Sequence, residues 1–354
     1  MHRRGLLLAT LGSLASAAVP GAEVTPRPAQ PSALAAQRLV TGIARGGDRL
    51  VAVGQRGHVL RSGDGGRTWA QALVPVSVDL TAVAFVDADT GWATGHDGTV
   101  LGTRDGGQRW QLLLDGRQAN ALVLAHMRAR VAASDASEQD LKLLEEARRN
   151  AEAGPDKPFL DLVFTDAVNG FVVGAYGLVM QTRDGGQRWT PWFDRVDNPG
   201  LLNLHAICAS RGALYAAGEG GLLLKREPDG ARFHALASPY PGSFFGIVAT
   251  GAGVLAFGMR GHAFLSADEG RSWQPVATGL PASIVSGAVA ADGTVVLADQ
   301  AGNLVRSADG GLHFTASGLK PAMPLAAVAF ADPRTLVLGG PRGLRSLAFT
   351  TKDS

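Results

Sequence analysis

One short pattern recurs seven times along this chain at a nearly constant spacing. A Gly-x-x-Gly pair opens each copy except the sixth, where Asp replaces the first Gly, and in five copies a Ser/Thr-x-Asp-x-Gly-x-x-aromatic stretch follows, such as SGDGGRTW at 62–69. Five of the six steps between successive copies are 40 to 44 residues, which is the period of repeat architectures, and the step from the second copy to the third is 79 residues. The first positions of the seven pairs are Gly54, Gly95, Gly174, Gly218, Gly258, Asp299 and Gly340.

Each copy has the composition of four short strands joined by glycine turns. In the second copy these are LTAVAFVD (80–87), GWATG (91–95), TVLGTRD (99–105) and QRWQLL (108–113). Four strands repeated at this period are typical of a propeller and not of a sandwich. The repeats therefore predict an all-β fold, a seven-bladed β-propeller.

The Asp of the repeated stretch is predicted to stabilise a turn. Its carboxylate can accept hydrogen bonds from backbone N–H groups two and three residues on, and the glycines permit positive φ. The aromatic residue can pack between neighbouring sheets. A catalytic residue would not recur five times around a ring, so a structural role is expected for Asp64, Asp105, Asp184, Asp268, Asp309, Trp69, Trp110, Trp189, Trp273 and Phe314. The fourth copy has Pro228 in place of the Asp.

The last copy lacks a fourth strand. Residues 23–34 stand just before the first copy and could supply it as an outer strand, where proline is tolerated. We therefore expect the ring to close through a strand from the N-terminal segment.

One step of the repeat is longer than the others, because residues 115–157 interrupt it. Residues 120–134 and 138–153 have helical spacing of apolar residues, with a capping signal at Ser137 and Asp140. A helical hairpin is predicted between blades 2 and 3. It should share a face of the ring with the Gly-x-x-Gly turns, where loops on a rigid scaffold commonly build binding sites.

The Gly-x-x-Gly turns carry the candidate binding residues. Three of the seven turn tips bear an arginine, which favours a basic patch that meets an acidic surface. The alternative is a set of solvated turn residues with no common task. The candidates are Arg56, Arg260, Arg342, His58, His262 and Tyr176.

Overall charge argues against nucleic-acid binding. The chain has 33 basic and 31 acidic residues, and no basic run is interleaved with aromatic residues. The eight histidines are scattered, and the single cysteine, Cys208, has no cysteine partner. No metal site and no cofactor are predicted, and the chain is expected to be monomeric.

The first residues are typical of a signal peptide. MHRR precedes an apolar stretch, and Ala15 to Ala17 offer a small-residue cleavage site. A signal peptide is predicted over 1–22 and the propeller over 23–354. The Sec route is favoured over twin-arginine export, and no lipid-anchor cysteine follows the signal. We expect a soluble periplasmic protein.

The repeats resemble those of the photosystem II stability/assembly factor family. The closest stretches are AVGQRGHVLRSGDGGRTW (52–69) and VVGAYGLVMQTRDGGQRW (172–189). The resemblance implies a non-catalytic propeller that assists assembly of a membrane complex through an arginine-bearing surface, for which Arg56, Arg260 and Arg342 are the matching positions here. The insertion is more similar to the family's branch in non-photosynthetic bacteria. The implied partner is a membrane-protein complex or transporter at the periplasmic face.

Two other functions remain open. The Asp turn is similar to the Asp-box of sialidases, so a sialidase-like glycosyl hydrolase is one alternative, with Tyr215 and Glu219 as the nearest tyrosine–glutamate pair. The chain lacks the Arg-Ile-Pro element of that group. A carbohydrate-binding propeller is the other alternative.

Overall fold

The computed structural model describes residues 27–133, 135–321 and 323–349. The predicted signal peptide at 1–22 lies outside these residues, as do both ends of the predicted propeller domain. Within them the strands form seven antiparallel sheets, and the strand order in every sheet follows the chain. The fold is mostly β, and the seven sheets fit the predicted propeller. They are numbered here as blades 1 to 7.

Six blades have four strands and the seventh has three. Blade 1 contains β1 (Val40–Gly46), β2 (Arg49–Gly54), β3 (Val59–Ser62) and β4 (Ala70–Gln71). Blade 2 contains β5 (Leu80–Phe85), β6 (Gly91–Gly95), β7 (Val100–Thr103) and β8 (Gln111–Leu114). Blade 3 contains β9 (Phe159–Phe164), β10 (Gly170–Gly174), β11 (Val179–Thr182) and β12 (Thr190–Pro191).

The remaining blades follow the same plan. Blade 4 contains β13 (Leu204–Ser210), β14 (Ala213–Gly218), β15 (Leu223–Arg226) and β16 (His234–Ala235). Blade 5 contains β17 (Phe244–Thr250), β18 (Gly253–Gly258), β19 (Ala263–Ser266) and β20 (Gln274–Val276). Blade 6 contains β21 (Ile284–Val289), β22 (Val295–Asp299), β23 (Leu304–Ser307) and β24 (Thr315–Ala316), and blade 7 contains β25 (Ala327–Asp332), β26 (Thr335–Gly340) and β27 (Gly343–Ala348).

The second strand of each blade carries the core. Every residue of β14 and of β18 is buried, because neighbouring sheets cover both faces of the blade. Strands covered on both faces have near-continuous apolar sequences, which explains why ALYAAG and GVLAFG do not alternate.

The first strands surround a central cavity of about 300 Å³ and are joined by side-chain hydrogen bonds. Thr41 Oγ1 donates to Leu80 O at 2.6 Å, from blade 1 to blade 2. Asp161 Oδ2 accepts from the Ile207 N–H at 2.9 Å, between blades 3 and 4. Burial raises the pKa of Asp161 to about 7, because a carboxylate there loses most of its hydration. The inner ring therefore places one weakly acidic carboxyl at the axis.

The described part of the expected closing strand does not join blade 7. Residues 27–34 form no strand of blade 7; they lie along the outer strand of blade 1, where Ala29 N donates to Val74 O at 3.0 Å. The Gln71 side chain of β4 holds the segment there, since its Oε1 accepts from Ser32 N at 2.9 Å and its Nε2 donates to Gln30 O at 3.0 Å. Blades 7 and 1 instead meet directly, and Ser346 Oγ donates to Gly66 O at 2.7 Å.

Two α-helices of the described residues lie between β8 and β9: α1 (Gly116–Ala132) and α2 (Glu138–Ala153). The second begins and ends where the sequence predicts, with a capping box of Ser137 and Asp140 and a C-cap at Gly154. The first begins four residues earlier than residue 120, because Asp115 caps it by accepting from Gln118 N.

Candidate functional site

The Gly-x-x-Gly turns and the two helices lie on one side of the ring, since both connect strands at the same blade end. We call this surface the hairpin face, and the opposite surface the Asp-box face. Gly116 N, at the start of α1, donates to Asp97 O in the turn of blade 2 at 2.8 Å, so the helices and the turns are in contact.

The tips of these turns have strained backbone. Arg56, Tyr176 and Arg260 occupy the same position in three blades and have φ near +55° (55°, 55° and 57°). Non-glycine residues in this left-handed region cost roughly 1–2 kcal/mol. The next residue must be glycine, because a Cβ on Gly57 would lie 2.1 Å from Val76 O.

At four of these tips, a polar residue of the following blade caps the turn. It stands immediately before the first strand of that blade, and its side chain accepts a hydrogen bond from the backbone N–H at the tip. These caps were not predicted from the sequence. The four bonds are Arg56 N to Asp79 Oδ1 (2.7 Å), Tyr176 N to Asn203 Oδ1 (2.8 Å), Gly220 N to Ser243 Oγ (3.3 Å) and Arg260 N to Ser283 Oγ (3.3 Å).

The three arginines of the predicted basic patch stand at turn tips on the hairpin face. Arg56, Arg260 and Arg342 are all exposed. Arg56 belongs to blade 1 and Arg342 to blade 7, which are neighbours, whereas Arg260 lies on blade 5 with the turn of blade 6 between. Arg38 is an exposed basic residue near Arg56 that the sequence analysis did not single out, and both arginines depress the pKa of the same histidine.

The two histidines differ in exposure. The His58 side chain is buried at 7% exposure, so it does not form part of the exposed surface. Burial, followed by the charges of Arg56 and Arg38, lowers its pKa, which favours the neutral ring. His262 is exposed and stacks on Tyr240, with 4.5 Å between ring centroids.

Tyr176 connects the turns to the helical hairpin. Its side chain is 60% exposed, and Lys157 Nζ lies 5.1 Å from the ring centroid. Lys157 belongs to the segment that returns from α2 to blade 3. The aromatic ring of Tyr176 therefore presents an apolar surface beside the hairpin and next to the Lys157 ammonium group.

The helices pack on blades 2 and 3 and form part of their core. Val123 and Met127 of α1 and Leu144 of α2 join one buried cluster with Phe159 of blade 3. His126 Nε2 lies 2.8 Å from Asp194 Oδ2, just after β12. Because α1 is held on its inner side by both apolar packing and a polar contact, the hairpin is a fixed part of this face.

Across the ring, the Asp-box residues bond within their own turns. In blade 1, Asp64 Oδ1 accepts from Arg67 N and Thr68 N, both at 3.0 Å, and Ser62 Oγ accepts from Gly66 N at 2.8 Å. The acceptor therefore reaches N–H groups three and four residues on, rather than two and three, because two left-handed glycines lengthen the turn. Asp105, Asp184, Asp268 and Asp309 each accept from the N–H four residues on, and Asp105 and Asp309 also accept from the N–H three residues on.

The aromatic residues of the boxes pack inward. Trp110, Trp189 and Trp273 are at most 8% exposed, whereas Trp69 and Phe314 are partly buried against neighbouring blades. Hydrogen bonds lower the pKa of Asp268 to about 2, first the backbone bond and then the hydroxyl bond from Ser272. These carboxylates are ionised hydrogen-bond acceptors at neutral pH.

The tyrosine–glutamate pair of the glycosidase alternative does not assemble. Tyr215 is buried at 1% exposure within the core between blades 4 and 5. Glu219 lies at the hairpin face, where Oε2 accepts from Asn203 N at 3.2 Å. A buried phenol on β14 and a carboxylate at a turn tip do not share a substrate cleft.

The described part of the chain shows no metal-binding cluster of three or more His, Cys, Asp or Glu side chains. Among the same residues, no helix combines the length and the apolar character that a bilayer span requires.

Comparison with known proteins connects this architecture to one family. Residues 145–316 match the family model described as photosynthesis system II assembly factor YCF48. No curated protein matches the chain.

Solved structures share the fold. YCF48 bound to a D1 peptide is 17% identical, with a TM-score of 0.62 over 90% of this chain and 95% of that one. YCF48 from Cyanidioschyzon merolae is 16% identical, with a TM-score of 0.61 over 90% and 97%. The WD40 propeller domain of Doa1 is 10% identical, with a TM-score of 0.61 over 89% and 94%. The chain thus shares the propeller fold of these proteins, and residues 145–316 are similar to the photosystem II assembly factor family that its repeats resemble.

Proposed function

We propose that this protein is an exported, non-catalytic accessory factor that binds a membrane-protein partner through its hairpin face. The resemblance to assembly factors supports this proposal, and one of the similar structures is of YCF48 bound to a D1 peptide. Binding of a peptide or loop from a membrane protein is the corresponding activity here. We place the protein in the periplasm as a monomer.

The observation that carries the proposal is the rigid, exposed construction of the hairpin face. The tips that carry Arg56, Tyr176 and Arg260 hold a strained backbone that is fixed by side chains of the next blade. The exposed side chains at these tips are thereby presented at set positions, which lowers the entropic cost of binding.

The charged side chains of the hairpin face indicate which kind of partner segment it binds. The exposed Arg38 and Arg56 lie together at blade 1, and the exposed Tyr176 lies beside the hairpin. Arginine and tyrosine are enriched in binding hot spots, and exposed cations attract acidic segments. The partner segment is therefore expected to be acidic and to carry apolar groups for the tyrosine.

Crosslinking in intact cells followed by pull-down tests the proposal. The variant Arg56→Glu/Arg260→Glu reverses two charges on the hairpin face, and Arg67→Glu/Arg271→Glu reverses two exposed charges in the Asp-boxes of the same two blades. Recovery of a membrane protein should fall at least about tenfold with the first variant and stay unchanged with the second. Equal recovery with both variants would reject the hairpin face as the contact.

Cell fractionation and light scattering test the other parts of the proposal. We expect the protein in the periplasmic fraction after removal of its N-terminal segment, with the mass of one chain. Retention in the cytoplasm would contradict export.

A further inference from the structure

Blade 4 is the one four-stranded blade of the described chain whose third turn is not an Asp-box. Arg226 pairs across the sheet with Leu214 in β14, as Ser266 pairs with Val254 in blade 5. Arg226 therefore stands where the boxes have their Ser or Thr, and Pro228 replaces the Asp. The third turn of blade 4 therefore lacks both side chains that hold the box conformation in the other blades.

At other blade interfaces the Asp-box packs on the preceding blade and satisfies its donors. Arg61 Nε of blade 1 donates to Gly106 O of blade 2 at 2.8 Å. Trp92 Nε1 of blade 2 donates to Gly185 O of blade 3 at 3.0 Å. Blade 4 offers no equivalent turn to blade 3, and a cavity of about 470 Å³ lies between these two blades.

Two arginines line this cavity. The Arg226 guanidinium lies over the rings of Phe171 and Trp192, at 5.4 and 5.3 Å from their centroids. Arg183 lines the wall from blade 3. Neither side chain makes a hydrogen bond or ion pair with another side chain in the described residues, and Arg226 Nε is buried without a partner.

The charge in the cavity is largely uncompensated. Burial and then the charge of Arg183 lower the pKa of Arg226, while Asp229 at the rim opposes this effect. The remaining walls combine apolar groups with a few polar side chains: Val163, Phe171 and Leu214 with Thr165, Asn169 and Gln181. A pocket of this size and lining is typical of sites for small molecules.

We propose that the cavity between blades 3 and 4 binds a small organic carboxylate. A guanidinium presents paired donors in a plane that match the two oxygens of a carboxylate. Arg226, which lies over two aromatic rings, supplies that fork, and Arg183 adds a second cation. The apolar wall of Phe171 and Leu214 accepts the hydrocarbon part of the ligand. This site lies on the Asp-box side of the ring and does not depend on the proposed function of the hairpin face.

Blade 2 provides an internal comparison. Arg104 immediately precedes the box Asp105, as Arg183 precedes Asp184 in blade 3, and it lies over Trp92 of its own blade at 4.9 Å from the ring centroid. Arg104 Nη2 donates to Gly185 O of the next Asp-box at 3.4 Å. Arg183 faces blade 4, which has no Asp-box to supply such an acceptor.

Isothermal titration calorimetry on the full chain tests the site with benzoate as the probe, and with benzamide and sulfate as comparisons. We expect saturable binding of benzoate, no binding of benzamide, and weaker binding of sulfate. Arg226→Thr restores the residue type of the intact boxes and should fold; it should weaken benzoate binding by at least about tenfold. Arg226→Lys keeps the charge without the planar fork and should also weaken it.

Matched controls separate the site from surface charge. Arg67→Thr removes an exposed arginine from the intact box of blade 1 and should leave benzoate binding unchanged, whereas Arg183→Gln should weaken it. Absence of saturable benzoate binding to the wild-type chain, or wild-type affinity in Arg226→Thr, would overturn the proposal. Sulfate binding as tight as benzoate binding would overturn the assignment to carboxylates.

Discussion

The two faces of the ring use the same residue types for different purposes. On the Asp-box face, each carboxylate bonds within its own turn, as Asp64 does with Arg67 N and Thr68 N. On the hairpin face, Asp79 and Asn203 reach back from one blade to cap the turn of the blade before. Because the Asp-box carboxylate bonds within its own turn, the same sequence can recur in blade after blade. A cap from the next blade bonds only the backbone N–H of the tip residue, so the side chain at the tip can differ between blades. The exposed side chains of the hairpin face can therefore vary while its backbone conformation is kept.

The largest expected effect concerns the helical hairpin. Met127 of α1 is fully buried, so Met127→Ala should lower the free energy of unfolding by about 2–5 kcal/mol through lost packing and a cavity. Leu141→Ala on α2, where the side chain is 52% exposed, should change it by less than about 0.5 kcal/mol. Urea denaturation measures both. Similar values for the two variants would show that the hairpin is not part of the core.

Between the two faces, Asp161 makes a pH-dependent contribution. Its pKa is raised to about 7, above the ordinary value of 3.8, so its ionisation opposes folding as the pH rises from about 4 to 7. Asp161→Asn keeps an acceptor for the Ile207 N–H and removes this cost. We expect it to stabilise the protein by about 2 kcal/mol at pH 8 and by much less at pH 4. Thermal melts at the two pH values measure the difference; an equal effect at both would contradict this account.

Removing one Asp-box carboxylate should lower the free energy of unfolding by a moderate amount. Asp105 accepts from Gln108 N, Arg109 N and Thr103 Oγ1, so Asp105→Ala should cost about 1–2 kcal/mol. The pKa of Asp105 is lowered, so this contribution is present above its ordinary pKa and is lost as the pH falls through the lowered value. Chemical denaturation at neutral pH and at acid pH should therefore show the variant approaching wild type in acid. A variant deficit that is independent of pH would argue against the carboxylate as the acceptor.

The caps of the hairpin face should give the smallest effect. Asn203→Ala removes the acceptor for Tyr176 N and should cost about 1 kcal/mol. Ser283→Ala should cost less, because the Arg260 N bond is longer at 3.3 Å. Hydrogen exchange of the tip amides distinguishes this from a general loss of stability: exchange at Tyr176 should quicken in Asn203→Ala while exchange at Arg260 does not. If exchange quickened equally at Tyr176 and Arg260 in Asn203→Ala, the caps of the hairpin face would not act locally, and this account would be wrong.

Repeats were the part of the fold that the sequence predicted well. The paired glycines and the Asp of each box determine local turns, and local turns at a constant spacing set the number of sheets. The start of α2 was also predictable from Ser137 and Asp140, since a capping box is a short-range pattern. The start of α1 was missed because Asp115 and Gln118 directly follow a strand.

Features that depend on two blades were not predictable in this way. The caps at Asp79 and Asn203 stand beside the next strand in sequence but act on the previous turn. Spacing placed His58 next to a turn tip without showing that its side chain is buried. The cavity at Arg226 results from the absence of an Asp-box, and its signal was the departure of the fourth repeat from the others.

Site-specific photo-crosslinking tests most directly the claim that the hairpin face is the binding face. A photoreactive phenylalanine analogue at Tyr176 would sit on the hairpin face, and one at Leu312, 50% exposed in the Asp-box of blade 6, would sit on the other. The account predicts a crosslink to a membrane protein from position 176 and none from position 312. The same crosslink from position 312 alone would contradict it.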